Sequence, residues 1–538
     1  MPNANFDHER AIKELSADPG NTAKAQQVFD LARTDPLGAQ EAQQRVAPAP
    51  ALIPLDIERL PFHRHNLFMP QTPKVVTGPA DLQSLLATVQ HAADAWLQIK
   101  AIGDGFGFGN TGDTRGYLLP MVERLNRVLE VDKSVLKPSV DAEHLCRFEA
   151  GATIQTINDY LWPRGKALLN QPGYERLTYV GTMSSGGHGS GAWCGPLSEH
   201  VRALHIVTVD ANRRALQFQI EPSDGISDPG QFKAKNPGVE LVQDDDMFRA
   251  CAVSMGCLGV IYSVTIQVRD GYNILENRRK FRFSELKPRL PALLAEQGPG
   301  KRLHSIEIWL NPYQVDGDVF CVLGERSETK DPPRGERALV VEYGGPEFLY
   351  RLLSWWMAHE PAAVPALVGV AMTATQASNV VLTAPKGLNF GAPNLAPVTA
   401  CSCAVPSDHI GELTDDLIAF FQQRAKDQSL YITSPLGLRF VKGASAHLSP
   451  AYGRDTCMIE VPTLLGTPKA RETLNAYHDF LFQKYNGRPH WGQVNDMPKE
   501  RLKALYPKLP AFLESFRVLN PIGLFDNAFT EQMGFRVP

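Results

Sequence analysis

The sequence predicts an α+β protein, an α/β first unit followed by an α+β second domain and a distinct C-terminal cluster, on three observations. Between Lys74 and Val268, short apolar strands alternate with amphipathic helices and are broken by glycine-rich loops. From about Gly271 the texture changes, and strands alternate with clearer helices. After Gly487 a cluster of His, Trp, Gly and Asn residues stands apart from both. The boundaries read as 1–55 leader and linker, 56–270 first domain in two lobes, 271–485 second domain, and 486–538 tail. A chain of 538 residues is long enough for two or three domains.

In the leader, Ala23 to Ala32 reads as a short amphipathic helix before an Ala/Gln/Pro linker, with no chemistry assigned. Lys74 to Thr77 is a short strand. Leu82, Leu85, Leu86, Val89, Ala93 and Trp96 then carry the spacing of an amphipathic helix, followed by a strand at Leu97 to Ile102. Strands follow at Val128–Val131, Arg147–Ala150, Val201–Val209, Leu216–Ile220 and Val260–Val268, with helices at Ile154–Trp162 and Phe248–Val253. In the second unit, strands are expected at Ile306–Leu310, Phe320–Leu323 and Ala338–Glu342. Helices are expected at Phe348–Met357, Leu413–Gln423 and Ala470–Lys484. The apolar region 347–382 reads as core or oligomer contact, ahead of a hydrophobic substrate channel or membrane-surface patch.

Composition narrows the function. A net charge of −4 gives no nucleic-acid footprint. The eight cysteines lack metal-ligand spacing and read as buried small hydrophobes in a reducing compartment, so no metal is expected. No run of about 18 apolar residues offers a membrane span. The polar, acidic first residues lack a secretory or transit signal, so a cytoplasmic location is expected.

The chemistry concentrates in glycine. Gly181-Thr-Met-Ser-Ser-Gly-Gly-His-Gly-Ser-Gly191 holds five glycines in eleven residues, a composition that regular structure disfavours. Between apolar elements it reads as a loop whose backbone N–H groups form a nest for a phosphate or pyrophosphate. A second loop, Gly103-Asp104-Gly105-Phe106-Gly107, follows strand, helix and strand. It is not a dinucleotide fingerprint, since no helix opens at Asn110. Gly256-Cys-Leu-Gly259-Val260-Ile261 and Arg488-Pro-His490-Trp-Gly492 complete the set.

Together these motifs, with Asn520 to Asn527, resemble the vanillyl-alcohol oxidase (PCMH-type) flavoproteins, and within them the sugar-1,4-lactone and alditol oxidases, over about residues 60–538. The resemblance implies a two-lobed PCMH-type FAD-binding domain plus an α+β cap with an antiparallel sheet. It implies FAD contacts from Gly103, Asp104, Gly105, Phe106 and Gly107. Further contacts are implied from Gly181, Thr182, Ser184, Ser185, Gly187, His188, Gly189, Ser190 and Gly191, and from Gly256, Gly259, Val260 and Ile261. Hydride would pass from a CH–OH carbon to flavin N5. His490, with Lys442, would accept the hydroxyl proton, and Arg439 would supply positive charge.

Three departures qualify this. Phe106 stands where many members carry a flavin-linked histidine, and Val180 where others carry a cysteine, so FAD is expected without a covalent link. The family's Glu-x-Arg reads Gly437-Leu-Arg439, which removes a carboxylate, and the lysine common after His-Trp-Gly is Gln493. Small residues at Gly186 and Gly187 are expected to leave room over the flavin and favour O2 as acceptor, giving H2O2. The partners are then a small alcohol or lactone and O2 or another acceptor, with a homo-oligomer compatible. Two alternatives stay open: a bulky hydrophobic (sterol or aromatic) alcohol as substrate, and a flavin-binding protein without turnover.

Overall fold

The computed structural model describes residues 4–34, 73–337, 356, 359–373, 375–389, 398–464 and 467–536. Its first lobe is a small parallel sheet of β1 (Val75–Val76), β2 (Ile99–Ile102) and β3 (Tyr117–Pro120), in the order β1-β3-β2. The helix Leu82–Asp94 joins β1 to β2. Asp81 starts it with a capping box: its carboxylate accepts the Ser84 N–H, and the Ser84 hydroxyl accepts the Asp81 N–H.

The second lobe is a six-stranded sheet. It uses β4 (Val128–Leu129), β5 (Leu145–Glu149), β7 (Val201–Val209), β8 (Ala215–Glu221), β9 (Glu240–Gln243) and β10 (Val260–Gln267), in the order β4-β5-β10-β7-β8-β9. A two-stranded ribbon pairs β6 (Lys166–Ala167) with β11 (Arg269–Asp270). Eight of nine residues of β7 are buried, which is why its sequence is mostly apolar on both faces rather than strictly alternating.

The cap is an eight-stranded antiparallel sheet. It comprises β12 (Asn273–Arg282), β13 (Ser305–Val315), β14 (Asp318–Thr329), β15 (Ala377–Thr383), β16 (Val398–Pro406), β17 (Leu436–Val441), β18 (Thr456–Leu464) and β19 (Arg488–Pro489). Their order is β15-β12-β14-β13-β17-β18-β16-β19. Alternation assigns the two faces. Ile306, Ile308, Leu436, Leu438, Ile459 and Val461 point into one core with the helices Ile410–Gln428 and Ala470–Tyr485. The intervening residues, including Trp309, Gly437, Arg439, Glu460 and Pro462, face the FAD-type domain. The tail contributes β19 to the edge of this sheet, and then packs Phe512, Phe516, Phe525 and Phe529 into the core of the first domain.

Two expectations change. The leader is a packed helical pair, Ala4–Ala17 and Thr22–Thr34, whose Ile12, Leu15 and Phe29 share a core with Trp356, Leu367 and Val370. The helix Val364–Thr373 is therefore sandwiched: its other side, through Val364, Val368 and Met372, meets Trp309 and Val322 of the cap. Tyr179–Ser184 is a short helix capped by Thr178, so the glycine-rich run begins as helix, not loop. The strand expected at Ala338–Glu342 lies outside the described residues, as does the helix Phe348–Met357 apart from Trp356. All eight cysteines are buried and free. Among the described residues, no helix is long and apolar enough to cross a membrane.

Candidate active site

A cavity of about 390 Å³ runs between the first domain, the cap sheet and the tail. Its walls follow the sequence motifs from end to end. One end is lined by Lys100, Met255, Gly256, Gly259 and Ile261. The middle is walled by Gly103 to Gly107 and by Gly181, Thr182, Ser184, Ser185, Gly187 and His188. The far side carries Gly437, Arg439, Glu460, His490, Gly492 and Gln493.

The two glycine loops meet at Thr178. A Cβ on Gly103 would overlap its side chain, and one on Gly181 would lie 2.7 Å from its Oγ1. Gly105 has φ +74°, a conformation in which most side chains are strained. Four expected contacts lie elsewhere. Val260 is buried in β10 against Val207, and Gly189 packs so closely on Asn170 and Gln171 that any side chain there would displace backbone. The Ser190 hydroxyl donates to Ile306 O, and the Gly191 N–H to Phe440 O; these residues join the cap to the first domain.

The nest expected over Gly181–Gly191 is also altered. The N–H of Gly181 goes to Thr178 Oγ1, that of Thr182 to Thr178 O, and that of Gly187 to Thr182 O. Those donors are consumed inside the turn. Nor do Gly186 and Gly187 open space: a Cβ on Gly186 would sit 2.6 Å from Pro450 Cδ, and one on Gly187 would strike Thr182.

Lys100 was not singled out by the sequence. Its ammonium is buried in β2 and donates to Met255 O at 2.7 Å, and burial pushes its pKa down to about 8. Among the described residues it forms no ion pair with a carboxylate, and it places a cation in the cavity wall. A glycine-walled passage, a buried lysine beside it, and a polar end fit an extended dinucleotide flavin.

At the polar end the register of the cap sheet decides what meets. Arg439 stands opposite Glu307 across β13, and its Nε forms an ion pair with Glu307 Oε1 at 3.0 Å. Gly437 pairs with Glu460 across β18. A Cβ at Gly437 would lie only 3.7 Å from Glu460 Cβ. The carboxylate missing from position 437 is therefore supplied from the neighbouring strand. Glu460 Oε1 accepts from Gln493 Nε2 at 2.9 Å, and Oε2 from Arg439 Nη2 at 3.4 Å. A glutamate inside the otherwise apolar run Cys457–Leu464 was the available signal; the expectation of a lost carboxylate does not hold.

His188 and His490 lie with ring centroids 6.1 Å apart. Burial first, with Arg439 adding to it, pushes His188 down to about 3 and His490 to about 4, so both rings are neutral at neutral pH. His188 Nδ1–H donates to Gly189 O, which leaves its Nε2 bare. His490 Nδ1 accepts the Gly492 N–H at 3.1 Å, so its proton belongs on Nε2. Lys442 is exposed and does not line the cavity.

The chain is similar to known proteins along this whole length. Residues 264–533 match the D-arabinono-1,4-lactone oxidase family and residues 73–216 the FAD binding domain family. L-gulonolactone oxidase of Mus musculus is 23% identical over 473 residues, covering 86% of this chain and 95% of that protein. L-gulono-1,4-lactone dehydrogenase of Mycobacterium tuberculosis is 25% identical, covering 86% and 96%. Alditol oxidase of a Streptomyces species is 21% identical, covering 76% and 85%. Among solved structures, cholesterol oxidase from B. sterolicum superposes with a TM-score of 0.67 at 15% identity, covering 85% of this chain and 93% of that one, a likeness of fold alone. The family match spans half of the sequence and the FAD-binding match takes in both walls of the glycine-lined passage: the chain belongs to the D-arabinono-1,4-lactone oxidase family of FAD-dependent oxidoreductases.

Proposed function

We propose that this FAD-dependent oxidoreductase oxidises the CH–OH group of an alcohol or lactone at the end of the cavity formed by Arg439, Glu460, His490 and Gln493. The carrying observation is that Glu460 and Arg439 lie side by side in the cavity wall, 3.4 Å apart, and His490 lines the same end. When bound, FAD supplies the two-electron chemistry by taking hydride from the carbinol carbon. The protein's part is position and proton. Arg439 and His490 Nε2–H donate to the substrate oxygen, where positive charge and an N–H favour the developing carbonyl. Glu460 Oε2, the oxygen nearer Gly437, accepts the hydroxyl proton, while Gln493 holds Oε1. His490 serves as donor rather than base, because its Nδ1 is already an acceptor.

Non-covalent FAD belongs to the same reading, since Phe106 lines the cavity and offers no nucleophile. O2 is taken as the electron acceptor, in keeping with the oxidase family to which the chain belongs. Trp309, Met372, Pro435 and Pro462 give the cap side of the cavity apolar walls, which favours a substrate with an apolar body over a simple polyol.

Two measurements test this. Acid precipitation is expected to leave a yellow supernatant over a colourless pellet; a coloured pellet would show a covalent link. Anaerobic mixing with sugars, lactones, sterols and aromatic alcohols is expected to bleach the flavin with at least one apolar-bodied alcohol or lactone, and admitting air to yield H2O2. A protein that no such compound bleaches has no alcohol oxidation to explain.

A further inference from the structure

Beyond the reacting end, the same cap face carries a second polar cluster. Arg278, Gly324, Glu307 and Arg439 form one row across β12, β14, β13 and β17, in register. Three strand spacings separate Arg278 from Arg439, about 14 Å. Between them Trp309 lies against Gly324, where a Cβ would be 3.1 Å from its indole, and Arg278 Cζ is 5.0 Å from the Trp309 ring. Arg278, Trp309, Arg337, Met372 and Thr375 all line the cavity.

The charges there do not balance. Glu276 accepts from Arg278 at 3.1 Å, Arg326 at 3.0 Å and Arg337 at 2.7 Å. Glu307 is divided between Arg326 and Arg439, and Glu460 meets only Arg439. Among the described residues, four guanidiniums therefore meet three carboxylates in these ion pairs. Arg278 is 8% exposed, its Nε has no hydrogen-bond partner among the described residues, and it lends only one bond to Glu276. Burial, with Arg278 and Arg326 adding repulsion, pushes Arg337 down to about 10. A buried guanidinium with spare donors in a cavity wall is suited to a planar oxyanion, and its desolvation is already met by the fold.

We propose that Arg278, backed by Arg337, is a carboxylate subsite, and that the substrate is an elongated hydroxy acid. Its carbinol lies at Glu460 and His490, its apolar middle passes Trp309 and Met372, and its carboxylate meets Arg278. The identity of the reacting end rests on the function proposed above; the anion subsite itself does not require turnover.

The test separates the two. FAD-loaded protein is titrated calorimetrically with a medium-chain ω-methoxyalkanoate, which has no hydroxyl to oxidise, and with its neutral amide. The acid is expected to bind at least roughly tenfold more tightly than the amide. Arg278→Gln is expected to abolish that preference while leaving amide affinity and FAD content unchanged, and Arg278→Lys to restore part of it. Equal binding of acid and amide, no binding of either, or a preference that survives in Arg278→Gln would overturn the proposal. If the preference depends on Arg278 but the matching ω-hydroxyalkanoate fails to bleach the flavin anaerobically, the subsite stands and the oxidation reading falls.

Discussion

His490 and His188 owe their behaviour to burial, and other buried histidines share it. His200, His205 and His478 are likewise pushed down to about 4 from an ordinary 6.5, with desolvation the first cause in each. A folded pKa below the unfolded one means that the unfolded chain binds protons the folded chain refuses. For these five the stability is intact above pH 6.5 and is lost as pH falls toward 4, each ring contributing up to about 1.4 kcal/mol per pH unit. Urea unfolding at pH 7.5 and pH 5 is expected to show a markedly lower midpoint at the acid value. Equal midpoints would mean that the rings protonate freely in the fold and are not neutral at the site.

At the scale of elements, what the sequence made legible followed local pattern. The helix Leu82–Asp94 and the strands Val201–Val209 and Val260–Gln267 declared themselves through spacing or a largely apolar, β-branched composition. The glycine motifs located most of the cavity wall. What escaped was whatever depends on partners distant in sequence. Glu460 faces Gly437 only because β17 and β18 pair in one register, and no local feature of Gly437-Leu-Arg439 reveals it. The short helix Tyr179–Ser184 hid behind its glycines because Thr178 caps it and tertiary packing buries Tyr179 and Met183. Lys100 read as an ordinary strand lysine until the fold buried it. Register also reverses the expected effect of restoring a carboxylate at Gly437. A side chain fits there, but Gly437→Glu would set a second anion beside Glu460. The variant is expected to keep FAD and reduce it more slowly than the unmodified protein, on the order of tenfold, through like-charge repulsion at the site. Faster reduction of hydroxyl-rich substrates in that variant would count against Glu460 as the resident carboxylate.

The whole molecule assembles its site from parts that are incomplete alone. The first domain supplies the glycine-walled passage, the cap sheet supplies Arg439, Glu460 and Arg278, and the tail carries His490 and Gln493 across from one to the other. The leader pair reaches this arrangement at one remove, by backing the helix Val364–Thr373 whose Met372 lines the cavity. The central claim is that the proton leaves the substrate through Glu460. Anaerobic stopped-flow reduction of the bound flavin by one active alcohol, in the unmodified protein and in Glu460→Gln, tests it most directly. FAD content is expected to be unchanged and the limiting reduction rate to be about a hundredfold lower or more, the usual scale for removing a general base. A reduction rate within a factor of about two of the unmodified protein would contradict it, because a glutamine keeps the shape of the site but cannot take the proton.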